Sequence, residues 1–410
     1  MSSPGRAFGR GVLLTTVAVA ALFAFYLPSS IGGVISRPLS VASIGGTCAL
    51  LVVVLAASRR LAPPLNIAAA LSMWLVLALF TVTSPFEAYS PGVTLLYVAQ
   101  GLLFLIDLRG VTSRAIEVVF QVITVVSLVL GYALALDVGV ADRLLVAWYG
   151  AFYPTLVSNM VVLFNKPVLT FGTHSMAGFM IYLFFYLHFR AWLTQGGWRR
   201  LAAAGGFLGL LVALTSTTGL AFAVIAGLQI AFVLQRALPQ QRALIAVAIL
   251  LAALVGAAAL GLDAGTLLAQ AEDAIVGDRV RGLFSRYATD GLLASTMKYL
   301  SESPLQPIGV GATDTLYLGD SGLVMNLLRG SVPLLIAVYG GLWLFLRTNL
   351  DDRRSALWLW VCVVLFEVGF TPLQYFRFLG FVPLLVVYLN TVSSRVPPTG
   401  AFLGARPVAR

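Results

Sequence analysis

Apolar runs of bilayer length recur along this chain from end to end, and that recurrence restricts the fold more than any motif does. A hydrocarbon core of about 30 Å needs about 20 apolar residues per helix. Backbone groups find no water there, so each run must satisfy its own hydrogen bonds by coiling. Twelve runs qualify: Gly11 to Leu27, Leu39 to Ala57, Leu65 to Val82, Val93 to Leu108, Ala115 to Leu136, Ser175 to Leu193, Leu201 to Thr217, Gly219 to Gln235, Ala243 to Leu262, Ser321 to Leu346, Ala356 to Leu373 and Tyr375 to Asn390. The fourth is short and the last two nearly touch, so ten or eleven spans also fit. Residues are 60% hydrophobic and 10% charged, with a mean hydropathy of +0.95, against about 45–50% apolar and about 25% charged in a soluble domain. The expected fold is an all-α polytopic membrane protein of about twelve transmembrane helices, with residues 1–410 forming a single integral membrane domain.

Orientation follows from the arginines, because cytoplasmic loops retain Lys and Arg. With the N-terminus inside, 17 of the 26 basic residues fall on the cytoplasmic side, among them Arg59, Arg60, Arg109, Arg114, Arg353 and Arg354. Seven fall on the other face, and Arg329 and Arg377 lie within spans. Both termini are then cytoplasmic. The net charge of +10 is this bias spread over short loops and calls for no nucleic-acid partner. Gly11 to Leu27 follows Arg6 and Arg10 as a signal peptide would, yet Leu27-Pro28-Ser29-Ser30 offers no small-x-small cleavage site, so it reads as an uncleaved helix.

Several chemistries are unsupported. Cys48 and Cys362 lie inside spans and act as small apolar fillers. The two histidines, His174 and His188, form no cluster with metal-ligand spacing. There is no Gly-Lys-Ser/Thr phosphate loop and no Gly-x-Gly-x-x-Gly after a strand, so no cofactor is expected.

Two long segments face the extracytoplasmic side, 137–174 and 263–320. The first contains Trp148-Tyr149-Gly150-Ala151-Phe152-Tyr153-Pro154, too aromatic for a solvated loop, and is expected to lie at the interface as a partly buried or re-entrant helix. In the second, Leu293, Met297 and Leu300 fall at helical spacing and predict an amphipathic helix. Ser303-Pro304 ends it, and Pro307-Ile308-Gly309-Val310-Gly311 makes a turn-rich return to the next span.

The 263–320 segment is the candidate site. Its four cations, Arg279, Arg281, Arg286 and Lys298, stand against eight carboxylates, so bulk attraction of an anion is excluded and any recognition is local. Arg279 and Arg286 share one face if that stretch is helical, with Arg281 beside them. Guanidinium suits bidentate contact with phosphate oxygens, and the three together fit a lipid-linked pyrophosphate. The plainer alternative pairs Arg286 with Asp290 and Arg281 with Asp278 as solvated helix decoration.

From about Lys166 onward, the order of elements resembles the O-antigen ligase and polymerase superfamily of bacterial membrane glycosyltransferases. Lys166 to Gly178 resembles that family's first outer-loop signature, and Leu214-Thr215-Ser216-Thr217-Thr218-Gly219 its tight turn between two helices. Arg286 followed by Leu305-Gln306-Pro307-Ile308-Gly309-Val310-Gly311 resembles its Arg, helix, Pro-Gly pattern. Gly319-Asp320-Ser321-Gly322 leading to Asn326-Leu327-Leu328-Arg329-Gly330 resembles the helix start after the large loop. Two positions depart. Asp320-Ser321 stands where ligases carry His-Asn, which looks more like the exopolysaccharide and capsule polymerases, and Lys166 replaces the usual arginine.

The resemblance implies a GT-C-like arrangement in a bacterial cytoplasmic (inner) membrane, with the large helical loop between helices nine and ten. It implies metal-independent, inverting transfer from a polyprenyl-pyrophosphate-linked oligosaccharide, with membrane lipid, a flippase and a chain-length regulator as partners. Arg286, with Arg279 or Arg281, would neutralise the leaving pyrophosphate, and Asp320 would be the general base or an N-cap. Lys166 and Arg329 would add to pyrophosphate binding, although Arg329, about two turns into a span, would otherwise pair with the intramembrane Glu367. His174 would join the site or cap its own helix. Ligation to a lipid A core, the peptidoglycan-polymerising shape and division proteins, and a lipid-linked oligosaccharide flippase or other transporter are the alternatives.

Overall fold

The computed structural model describes residues 37–58, 60–152, 167–171, 173–214, 216–236, 287–288, 291, 293–304, 306–312, 316 and 321–395. Among the described residues the structure is helical, with two isolated β-bridges and no strand. The helices are α1 (Arg37–Ser58), α2 (Pro64–Val82), α3 (Pro91–Phe104), α4 (Arg114–Ala135), α5 (Gly139–Phe152), α6 (His174–Gln195), α7 (Trp198–Ala213), α8 (Thr217–Arg236), α9 (Ala294–Glu302), α10 (Gly322–Asn349), α11 (Arg353–Glu367) and α12 (Phe376–Ser393). Five of them, α2, α4, α6, α10 and α12, are long and apolar enough to cross a membrane. Helices occupy the apolar runs wherever these are described, whereas Gly11 to Leu27 and Ala243 to Leu262 lie outside the described residues.

Helix ends differ from the sequence reading at two places. The fourth run reaches Leu108, but α3 stops at Phe104; Ile106 bridges to Leu61, and Asp107 turns back onto its own Arg109. The eleventh run reaches Leu373, but α11 stops at Glu367, and a 3-10 turn at Pro372–Gln374 follows. The expected amphipathic helix is α9, beginning after Leu293 and ending before Ser303-Pro304, and α5 covers part of the aromatic segment expected to be helical.

The chain forms two compact units, one of residues 1–26, 35–119 and 283–391, the other of 27–34, 120–282 and 392–410. In the first, α10 packs on α2, α3, α9 and α11, and α3 also packs on α1 and α2. α2 illustrates how a helix with apolar residues all round chooses a face. Asn66, Ala70, Met73 and Leu77 are buried, while Leu65, Leu71, Leu75, Leu79 and Val82 are exposed. Lipid tails are as apolar as leucine, so small and polar residues mark the protein-facing side.

One end of this unit gathers Arg60, Arg109, Arg347, Arg353 and Arg354, and amides hold it together. Asn349 accepts from Leu108 N (2.5 Å) and donates to Ile106 O (3.2 Å) and Phe345 O (2.9 Å). Asn390 donates to Asn349 O (2.8 Å) and accepts from Asp351 N (3.3 Å). Thr348 donates to Asn66 Oδ1 (3.2 Å). Asp107 accepts from Arg109 at both oxygens, Nε to Oδ1 at 3.0 Å and Nη2 to Oδ2 at 2.7 Å, and the guanidinium beside it holds its carboxyl below the usual carboxylate range.

In the second unit, α6 packs on α7 and α8, and every residue from Met176 to Phe189 is buried. Rings fill this core: Phe184 stacks on Phe207, and Tyr182 on Phe222. Thr124 donates to Phe120 O (2.7 Å), so at its 2.6 Å contact with His188 Nε2 it is the acceptor and the imidazole the donor. The Leu214 to Gly219 turn is tight as expected: α7 ends at Ala213, α8 starts at Thr217, and Gly219 N donates to Ser216 Oγ (3.1 Å).

Candidate functional site

The polar return segment docks where α10 breaks. α10 is two helical pieces, 322–329 and 332–349, because Gly330 (φ −156°, ψ 20°) and Ser331 (φ 55°, ψ −160°) leave helical geometry, with Pro333 close behind. Pro333 has no N–H to offer the Arg329 carbonyl four residues back. The Pro307–Gly311 turn supplies the missing donors: Ile308 N reaches Leu328 O (2.9 Å) and Gly309 N reaches Arg329 O (3.0 Å). In return, Arg329 Nη1 donates to Gly309 O (2.8 Å) and Gly311 O (3.3 Å).

The same turn is bonded to the α2–α3 connection. Ser90 N donates to Val310 O (2.9 Å), Ala312 N to Ala88 O (2.8 Å) and Val310 N to Thr81 Oγ1 (3.0 Å). Gly309, at φ +57°, lies against the Thr81 backbone with no room for a Cβ, so only glycine fits on both counts. Arg329 therefore sits level with the end of α2, two turns into α10 and just before its break. The second piece, 332–349, then runs about 27 Å at 1.5 Å per residue, close to a full bilayer core. Ser331 holds the sparsely populated backbone, a strain of about 1–3 kcal/mol that the docked turn offsets.

Below the turn lies a directed chain of hydrogen bonds. Asn326 Nδ2 donates to Gly322 O (2.8 Å), which fixes the amide orientation because that carbonyl can only accept. Its Oδ1 must then receive Tyr97 Oη (2.7 Å), and its Nδ2 also reaches Tyr339 Oη (3.2 Å). Tyr339 passes its proton on to Glu367 Oε2 (2.8 Å), and Leu373 N donates to Glu367 Oε1 (2.8 Å). Both oxygens of this fully buried carboxyl thus accept. Its backbone O receives Ser321 Oγ (3.2 Å), Gly322 N reaches Phe370 O (2.9 Å), and Tyr287 Oη donates to Val368 O. Gly322 is required here, since a Cβ on it would overlap the Glu367 carboxylate.

Of the residues singled out in the sequence, Arg279, Arg281, Arg286, Lys166 and Asp320 lie outside the described residues. Arg329 and Glu367 are both buried beside the α10 start but form no ion pair: the arginine holds the turn, and the carboxyl holds Tyr339 and Leu373. His174 opens α6, and its cap is Thr173, whose hydroxyl accepts from Met176 N (3.2 Å). The cap of α10 is Ser321, whose Oγ accepts from Val324 N (3.4 Å), which leaves Asp320 one residue outside the cap. Tyr97, Tyr339 and Thr81 carried no sequence signal, since the partner of each is distant along the chain, and Asn326 entered only as part of the Asn326–Gly330 motif.

Among the described residues, five helices long and apolar enough to cross a membrane suggest a helical membrane protein, and Arg329 and Glu367 lie buried at one end of the first unit. Neither a family model nor a curated protein nor a solved structure matches the chain.

Proposed function

We propose that the chain is a membrane glycosyltransferase that polymerises, or ligates, polyprenyl-pyrophosphate-linked oligosaccharide units of a surface polysaccharide, with about twelve spans and its site in 263–320 on the extracytoplasmic face. The observation that carries this reading is the Pro307–Gly311 turn, bonded to α2, α3 and the broken α10 at the end of its unit opposite the arginine-rich end. A polar segment so anchored is a fixed platform for chemistry at a membrane surface, and the order of motifs along it resembles that of the O-antigen ligase and polymerase superfamily. Arg286 with Arg279 or Arg281 takes the pyrophosphate, Lys166 assists, and Asp320 accepts the proton of the attacking hydroxyl. Arg329 supports the platform through Gly309 and Gly311.

Because Ser321 fills the cap, Asp320 is free of that duty, and its test becomes cleaner. Purified protein carrying Asp320→Asn should bind the lipid-linked donor yet lose about 10²- to 10⁴-fold in turnover. Arg286→Lys should lose much of the activity although the charge is kept, because an ammonium cannot reproduce the fork of donors. Near-normal polymer from Asp320→Asn would retire it as the base.

A transporter is the second reading, favoured by the break at Gly330-Ser331, since discontinuous helices line many transport sites. Uptake of lipid-linked oligosaccharide across a vesicle membrane with no new glycosidic bond would decide for it.

A further inference from the structure

The first piece of α10 is held at both ends, and the two fasteners differ. Its far end is held by the turn, through the carbonyls of Leu328 and Arg329. Its near end rests on Glu367: Ser321 bonds the Glu367 carbonyl, Gly322 lies flat on the carboxylate, and Asn326 and Tyr339 close the chain onto Oε2. Tyr339 Oη and Leu373 N each donate to one carboxyl oxygen, while Ser321 Oγ donates to the Glu367 carbonyl and Asn326 Nδ2 to Tyr339, so the arrangement calls for two acceptor oxygens at this position. Glu367 is 0% exposed.

We infer that Glu367 is a positioning residue for the transfer reaction: its carboxyl sets where the 322–329 piece and its cap Ser321 dock, next in the sequence to the proposed base Asp320. The inference rests on the proposed transfer reading. Glutamine at this position would present one donor; with its oxygen kept for Leu373 N, the Tyr339 proton loses its acceptor. The dock loosens while the size of the side chain is unchanged.

The test uses full-length protein in nanodiscs, with Cys48→Ala and Cys362→Ala and a reporter cysteine from Met325→Cys, a position 3% exposed in the docked piece. With Glu367 intact, maleimide labelling of the reporter is slow. Glu367→Gln is expected to speed labelling about tenfold, and to lower kcat for transfer from a lipid-linked oligosaccharide about tenfold with the donor KM nearly unchanged, as loss of an interaction that matters only in turnover requires. Tyr339→Phe, which removes one donor and no volume of consequence, should move both readouts the same way by less. Gly322→Ala should melt early, and adding Glu367→Ala, which makes room for the new methyl but leaves Tyr339 and Leu373 N without acceptors, should recover part of the melting temperature without restoring kcat. Unchanged labelling in Glu367→Gln overturns the docking role, and fast labelling with wild-type kcat overturns the positioning role. Wild-type protein that transfers nothing overturns the transfer reading and the positioning role with it, while the labelling contrast still reports whether the dock exists.

Discussion

At the arginine-rich end of the first unit, Asn66, Asn349 and Asn390 hold the helix ends together with neutral amides reading backbone groups. At the opposite end, Arg329 and Glu367 do the corresponding work, buried and flanked by Tyr97 and Tyr339. Neutral amides suffice to close a loop over a helix end. Ionisable groups cost far more to bury, and inside a membrane protein they mark function by default. At the arginine-rich end the one buried carboxylate, Asp107, pairs with its half-exposed neighbour Arg109, whereas Arg329 and Glu367 are buried themselves and bond neutral groups, at the end where the Pro307–Gly311 turn docks.

The comparison can be broken by mutation. Arg329→Leu removes two charge-assisted hydrogen bonds from the Gly309 and Gly311 carbonyls and should cost about 3 kcal/mol in unfolding free energy, at about 1.5–3 kcal/mol each with partial compensation by water. Asn349→Leu leaves Leu108 N and Ile106 O without their partner and should cost about 2 kcal/mol, with glycosyl transfer preserved at temperatures where the variant is folded. Denaturant titration in mixed micelles measures both. An Asn349 variant that is folded yet inactive, or an Arg329 variant as stable and active as the wild type, would remove the contrast.

The smallest expected effect belongs to Asp107. Its folded carboxyl is held below its ordinary value, first by the hydrogen bond from Arg109. The linked stability is therefore present above the unfolded pKa of about 3.9 and is lost as pH falls through the folded value. Arg109 is half exposed, with 52% of its side chain accessible, so the pair is worth about 0.2–1 kcal/mol. Asp107→Asn should flatten the stability profile on the acid side of about pH 4 and change little at neutral pH. A large loss at neutral pH would mean that charge, and not amide bonding alone, holds the arginine-rich end.

Helices were legible in the sequence because a bilayer-length apolar run has few other structures open to it, and α2, α4, α6, α10 and α12 lie where the runs lie. The α9 amphipathic helix and the Pro307–Gly311 turn were legible from local spacing and turn chemistry. Arg329 was legible as a buried ionisable group about two turns into a span, whereas the break that follows it was not, since Gly330, Ser331 and Pro333 sit in an otherwise continuous apolar run. Glu367 was matched with that arginine by charge, whereas the structure matches it with Tyr339 and Leu373 N, partners that only the packing of α10 on α11 brings near. Ser321 and Thr173 took the caps weighed for Asp320 and His174, a one-residue difference that hydrogen-bond geometry decides.

In the proposed arginine-assisted glycosyl transfer from a lipid pyrophosphate, guanidinium takes the role a divalent cation often fills. The direct measurement is transfer by purified protein, supplied with a polyprenyl-pyrophosphate-linked oligosaccharide, in excess chelator. The expected result is a lengthened or transferred glycan with release of polyprenyl pyrophosphate, at a rate that added magnesium or manganese does not raise. No new glycosidic bond, or activity that vanishes in chelator and returns with either metal, would contradict it.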